Sequence, residues 1–148
     1  MRILKIKKKI QNYNFLCIGA CHNDNILKLK KDYKLFRTNP VYSQIKPGGV
    51  CSNIAFNLSL FTKKIHFFSL PTSIELRKNF IAKKIKFNNI SNKINDSFYT
   101  AIINKNGKMI LGLASNETYE KLNKINYYLI NHYIKSNTYL ILDLCFNE

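Results

Sequence analysis

A chain of 148 residues with 46% hydrophobic content is long enough for one domain with a real core, and it is not a disordered composition. No apolar run approaches bilayer length, and the basic start MRILKIKKKI leads into no apolar signal region, so a cytoplasmic protein is expected rather than a membrane or secreted one. The net charge of +16 invites a nucleic-acid partner, but only Arg2, Arg37 and Arg77 among the 24 basic residues are arginine, and the lysines are scattered apart from Lys5 to Lys9. A bias to Lys, Asn and Ile with five glycines is what an AT-rich genome produces. No nucleic-acid-binding motif accompanies it, so a specific nucleic-acid partner is not expected.

Taken in chain order, YNFLCIGA (13–20) is a short apolar run stopped by glycine, which predicts a buried strand. In 26–35, Leu27 and Leu29 alternate with Lys28 and Lys30, which predicts a strand with one wet face. Residues 37–49, punctuated by Pro40, Pro47 and a glycine pair, predict a loop. From Ser52 the period changes, and Ile54, Ala55, Leu58 and Phe61 fall on one face of a helix. KIHFFSL (64–70) predicts a second buried strand, and 73–85 an amphipathic helix carrying Leu76, Phe80, Ile81 and Ile85. After a polar connector over 88–96, Asn106-Gly107 sits between 97–104 and 108–114, the signature of a hairpin. Leu122, Ile125, Leu129 and Tyr133 then mark a helix over 119–135, and TYLILDLC (138–145) a last buried strand.

Buried strands alternating with helices predict an α/β fold built on a mostly parallel sheet. The half-wet strand and the hairpin do not fit such a sheet and predict a separate small one, a lid or a dimer surface. Cys17, Cys21, Cys51 and Cys145 contain no CxxC pair, and His22, His66 and His132 lack ligand spacing. Free thiols in a reducing compartment are expected, and no metal site.

Two segments carry the chemistry. GACHND (19–24) follows the first buried strand, and PGGVCSN (47–53) opens the first helix. In an open parallel sheet, ligands bind beyond the carboxyl ends of the strands. A carboxylate at Asp24, an amide at Asn53 and a wall of Gly48 and Gly49 that admits close approach suit a polyhydroxylated ligand such as a sugar. The same residues also read as a turn and a helix cap, and spacing alone weighs the two readings equally.

The pattern G-x-x-x-x-D followed by P-G-G-x-x-x-N-x-A, on Gly19, Asp24, Gly48, Gly49, Asn53 and Ala55, resembles the PfkB (ribokinase-like) family of carbohydrate and nucleoside kinases. Within it the chain looks most like the pseudouridine kinases, through residues 39–58, 97–123 and 140–148. The resemblance covers nearly the whole chain but only the amino-terminal half of the family's domain. It implies a ribokinase-like sheet between helices with a small β lid formed by about 26–35 and 97–114. Asp24 and Asn53 would hold ribose hydroxyls, with Gly48 and Gly49 against the sugar, and lid closure would exclude water. It implies ATP-dependent phosphorylation of a ribosyl primary hydroxyl with Mg²⁺. The family's phosphate, metal and adenine sites and its general base lie in the half this sequence does not match, so no catalytic residue is expected here.

The sequence departs from the family at three places. Phe61-Thr62 follow Leu60 where relatives have glycine, TSIELR (72–77) replaces an acidic, glycine-bearing segment, and Asp143-Leu144-Cys145 keeps only the aspartate of a D-x-N motif. A non-catalytic remnant or ligand-binding module is therefore the alternative expectation, and a homodimer through the lid is a further one.

Overall fold

The computed structural model describes residues 10, 12–92, 97–120 and 127–143. Within them, two four-stranded sheets divide the strands. The first has the order β5-β4-β1-β8 and contains β1 (Asn14–Ile18), β4 (Ile65–Ser69), β5 (Lys86–Asn89) and β8 (Thr138–Leu142), all parallel. The second has the order β3-β2-β6-β7 and contains β2 (His22–Leu29), β3 (Val41–Gly48), β6 (Phe98–Ile103) and β7 (Met109–Ser115). Here β2 runs antiparallel to β3 and parallel to β6, and β6 and β7 form the hairpin.

The central strands β1 and β4 are covered on both faces, which explains why they read as continuous apolar runs rather than alternating ones. The last strand, expected to be buried, is not: β8 lies at the edge of the described sheet, with Tyr139, Leu140 and Leu142 about half exposed, so its apolar run does not mark burial. Phe15 and Cys17 of β1 and Ile65 and Phe67 of β4 turn to one face. There they meet α1 (Val50–Leu58) through Cys51 and Ala55, and α2 (Ile74–Ala82) through Leu76 and Phe80. Leu16 and Ile18 of β1 and Phe68 of β4 turn to the other face, against Tyr119 of α3 (Glu117–Glu120) and Ile130 of α4 (Tyr127–Asn131). Each fully buried Phe or Leu in these clusters contributes about 1.5–3 kcal/mol by leaving water.

The helix expected from Ser52 begins at Val50, and its buried face is not the expected one. Cys51, Ser52 and Ala55 face the core, while Ile54 and Phe61 are more than a third exposed. Small side chains let the helix lie close to the sheet. The Ser52 hydroxyl donates to the Gly48 and Gly49 carbonyls, so its burial costs little. In α2, Leu76, Phe80 and the following Ile85 are buried as expected, but Ile81 is exposed. Ser73 caps this helix by accepting from the Leu76 N–H at 3.2 Å.

The half-wet strand expected over 26–35 runs instead over His22–Leu29, and residues 30–40 form a loop. The predicted loop over 37–49 holds β3, and Lys86–Asn89 makes the short edge strand β5. The middle of the predicted helix over 119–135 and Cys145 lie outside the described residues. Among the described residues no helix is long and apolar enough to cross a membrane.

Candidate functional site at the carboxyl edge of the parallel sheet

Strands β1 and β8 end side by side, and the chain leaves them at Gly19 and Asp143. The Gly19 N–H donates to Phe68 O at 3.1 Å, and the Asp143 N–H donates to Ile18 O at 3.0 Å, so both turns are tied to the sheet edge. A side chain at position 19 would meet the Cβ atoms of Cys51 and Asp143, which explains the glycine.

Helix α1 starts above this edge. Its cap residue is Gly49, which has no side chain to satisfy the first-turn N–H groups. Asp143 does so from β8's end, accepting from the Cys51 N–H through Oδ2 at 3.3 Å. A carboxylate at a helix N-terminus is favoured by the helix dipole as well.

Gly48 and Gly49 have different physical reasons. Gly48 is buried against the Asp24 carboxylate, which fills the space a Cβ would take. Gly49 has φ +98°, and a Cβ there would collide with the Ala20 carbonyl. Asp24 itself lies on β2, opposite Lys46 of β3 and Tyr99 of β6. Its side chain is 28% exposed, yet Oδ1 is shielded from solvent and has no hydrogen-bond partner. His22 Nε2 lies 3.1 Å from that oxygen. The two side chains sit at ion-pair distance but outside hydrogen-bond geometry. Asn53 sits one turn into α1, exposed, with its backbone N–H donating to Gly49 O at 3.0 Å.

The structure thus brings Asp24 and Gly48 into contact and puts Asn53 on the helix that Gly49 starts. A buried cluster fixes the turn between β1 and β2. Tyr119 Oη lies 2.8 Å from Ser69 Oγ and accepts from the Cys21 N–H at 3.2 Å, and Ser69 Oγ donates to Gly19 O at 2.6 Å. Burial pushes the Cys21 thiol up to about 11, against the opposing hydrogen bonds of Ser69, Tyr119 and Thr72. It is a thiol at neutral pH and not a nucleophile. The sequence reading did not single out Tyr119 or Ser69, set His22 aside for lack of ligand spacing, and had Asp143 only as the remainder of a motif. No local pattern marks a tyrosine or serine that acts 50 or 98 residues away.

Chemically the edge offers a carboxylate acceptor and an exposed amide. The glycine wall expected from the sequence is not open: the space a side chain would take is filled by the Asp24 carboxylate at Gly48 and by the Ala20 carbonyl at Gly49, so internal packing already requires both glycines. A carboxylate can accept hydrogen bonds from hydroxyl groups, and an amide can donate to and accept from them. Among the described residues no three His, Cys, Asp or Glu side chains gather to hold a metal ion, so no residue is assigned to Mg²⁺ or ATP and no step is derived through them.

No protein-family profile and no curated protein matches the sequence. Solved structures do. A nucleoside kinase from Methanocaldococcus jannaschii, described as an archaeal member of the ribokinase family, superposes with a TM-score of 0.60 at 13% identity, over 88% of this chain and 44% of that one. The fold is ribokinase-like. A carbohydrate kinase from Agrobacterium tumefaciens shares this ribokinase-like fold with a TM-score of 0.73 at 18% identity, over 90% of this chain and 46% of that one. A nucleoside kinase from Burkholderia thailandensis, solved with inosine, gives 0.52 at 13% identity, over 68% of this chain and 36% of that one. The chain therefore spans less than half the length of these structures. At such identities the likeness carries the ribokinase-like fold and not the chemistry.

Proposed function

We propose that this chain is the substrate-binding half of a PfkB-type kinase that phosphorylates the primary hydroxyl of a ribosyl compound with ATP and Mg²⁺, in the manner of a pseudouridine kinase. The observation that carries it is the Asp24 carboxylate, packed on Gly48 at the edge where α1 begins, with an oxygen that has no hydrogen-bond partner. That oxygen is shielded from water and has only the His22 imidazole at ion-pair distance, and a sugar hydroxyl that donates to it would add the hydrogen bond it lacks. Asn53 supplies a second polar contact. The lid sheet, which carries Asp24, closes over the ligand.

The far side of the lid suits a homodimer. Leu27, Leu29, Val41, Ile102 and Leu111 line an apolar cavity of about 560 Å³ there, together with Tyr33 and Leu35 of the loop. In β2 these leucines alternate with Asp24 and Ile26, so dimerisation and sugar binding use opposite faces.

The test uses the native protein from its source cells: its intact mass, then phosphoryl transfer to a panel of nucleosides and sugars. Transfer to a ribosyl compound by a protein larger than 17.3 kDa supports a kinase of which this chain is the binding half. Ligand binding without transfer at that mass supports a non-catalytic binding module. Neither binding nor transfer with any ribosyl compound refutes the proposal.

A further inference from the structure

At the opposite edge of the parallel sheet, where its strands begin, lies a cavity of about 310 Å³. Asn14 opens β1, His66 is the second residue of β4, and Lys86 opens β5, directly opposite His66 in register. His132, Tyr133 and Lys135, between α4 and β8, close the cavity. We propose that this cavity is a binding site for a small phosphate-type oxyanion, either free phosphate or a phosphomonoester.

The first argument is charge. Lys86, Lys135, His66 and His132 line the cavity, and among the described residues no carboxylate does. Among the described residues the ion pairs are His22–Asp24 and Lys105–Asp32, both on the lid strands and their loops, so neither Lys86 nor Lys135 has a described ion-pair partner. In a chain with 24 basic residues, lysines on a surface are commonplace, but this cavity also gathers two of the three histidines.

The second argument is an unmet donor or acceptor. His66 Nδ1 is shielded from solvent and has no hydrogen-bond partner. The ring is held by Tyr133, whose centroid lies 4.4 Å away, and Tyr133 is flanked in turn by His132 at 5.4 Å. Asn14 is committed, since its amide nitrogen donates to Asn137 Oδ1 at 2.9 Å. Around His66 the charged or titratable groups are therefore Lys86 from β5 and Tyr133, His132 and Lys135 from the segment before β8. Burial first, then Lys86 and Lys135, hold its pKa below the ordinary 6.5. An oxyanion between those lysines reverses the charge term and lets the imidazole donate.

Size limits the ligand. The volume lies at the lower end of the range for small-molecule sites, about 300–1,000 Å³, which suits one phosphate group with a small substituent. The site is independent of the sugar edge, since it uses none of the same residues.

The test is a titration of the 148-residue chain at constant ionic strength, read from the His66 and His132 ring resonances by NMR. One arm uses inorganic phosphate and the other glycerol phosphate. Saturable shifts are expected in at least one arm, with the pH of His66 protonation moving up on binding. A phosphate-only response assigns the free ion, and tighter glycerol phosphate binding assigns a monoester. The double variant Lys86→Gln/Lys135→Gln should weaken binding about tenfold or more, since each lysine makes a charge-assisted contact. The control Lys78→Gln/Lys108→Gln removes the same charge elsewhere and should change it by no more than about twofold. Linear shifts without saturation in both arms, or equal weakening in the two double variants, would overturn the proposal.

Discussion

Single residues set the sugar edge, and they do so over long sequence distances. The Tyr119 hydroxyl is buried and holds Ser69 and the Cys21 N–H, so the turn that aims β2 depends on it. Tyr119→Phe keeps the ring and removes the hydroxyl, and we expect it to lower unfolding free energy by about 1–3 kcal/mol in denaturant titrations. An unchanged midpoint would show that the cluster adds nothing. His66 gives the fold a pH dependence. Its folded-state pKa is depressed, mainly by burial, so the fold favours the neutral ring. The associated stability is fully present above the ordinary value of 6.5 and is lost as pH falls through the lowered one. Wild type should therefore lose more stability than His66→Gln between about pH 7.5 and about pH 5.5. Equal losses would place the pH dependence elsewhere.

At the scale of elements, the buried strands and the hairpin were legible because their signals are local. NFLCI and IHFFS are apolar runs of strand length, and Asn106-Gly107 names its own turn. Gly107 has φ +89° with nothing within 4 Å, so conformation alone requires glycine there. Gly107→Ala should cost about 1–2 kcal/mol through the left-handed backbone and leave the site unchanged. β3 was not legible. It is an edge strand, exposed over most of its length, and Pro47 near its end removes a ladder N–H. Without a buried face it shows no alternation. The buried face of α1 was missed for a related reason: Cys51, Ser52 and Ala55 are small, and a reading by hydrophobicity favours Ile54 and Phe61 instead.

For the whole molecule, the division into a covered parallel sheet and a second, partly open one follows from composition along the chain. It places Asp24 on the second sheet and Asn53 on a helix packed against the first, so binding between them would couple the two sheets. The apolar outer face of the second sheet predicts self-association. Sedimentation at rising concentration should show a dimer, and Leu111→Asp should shift it to monomer without loss of ligand binding. How the edge is assembled was only half visible in sequence. Asp24 and the pair Gly48-Gly49 stand in two recognisable segments, but Asp143 reaches α1 from 92 residues away, and its capping role exists only in the fold. The most direct test of the sugar edge is calorimetric titration of the chain with pseudouridine, uridine and ribose, beside Asp24→Ala and Asn53→Ala. Saturable binding of a ribosyl ligand, weakened about tenfold or more in each variant, is the predicted result. Binding that is indifferent to both substitutions would contradict it.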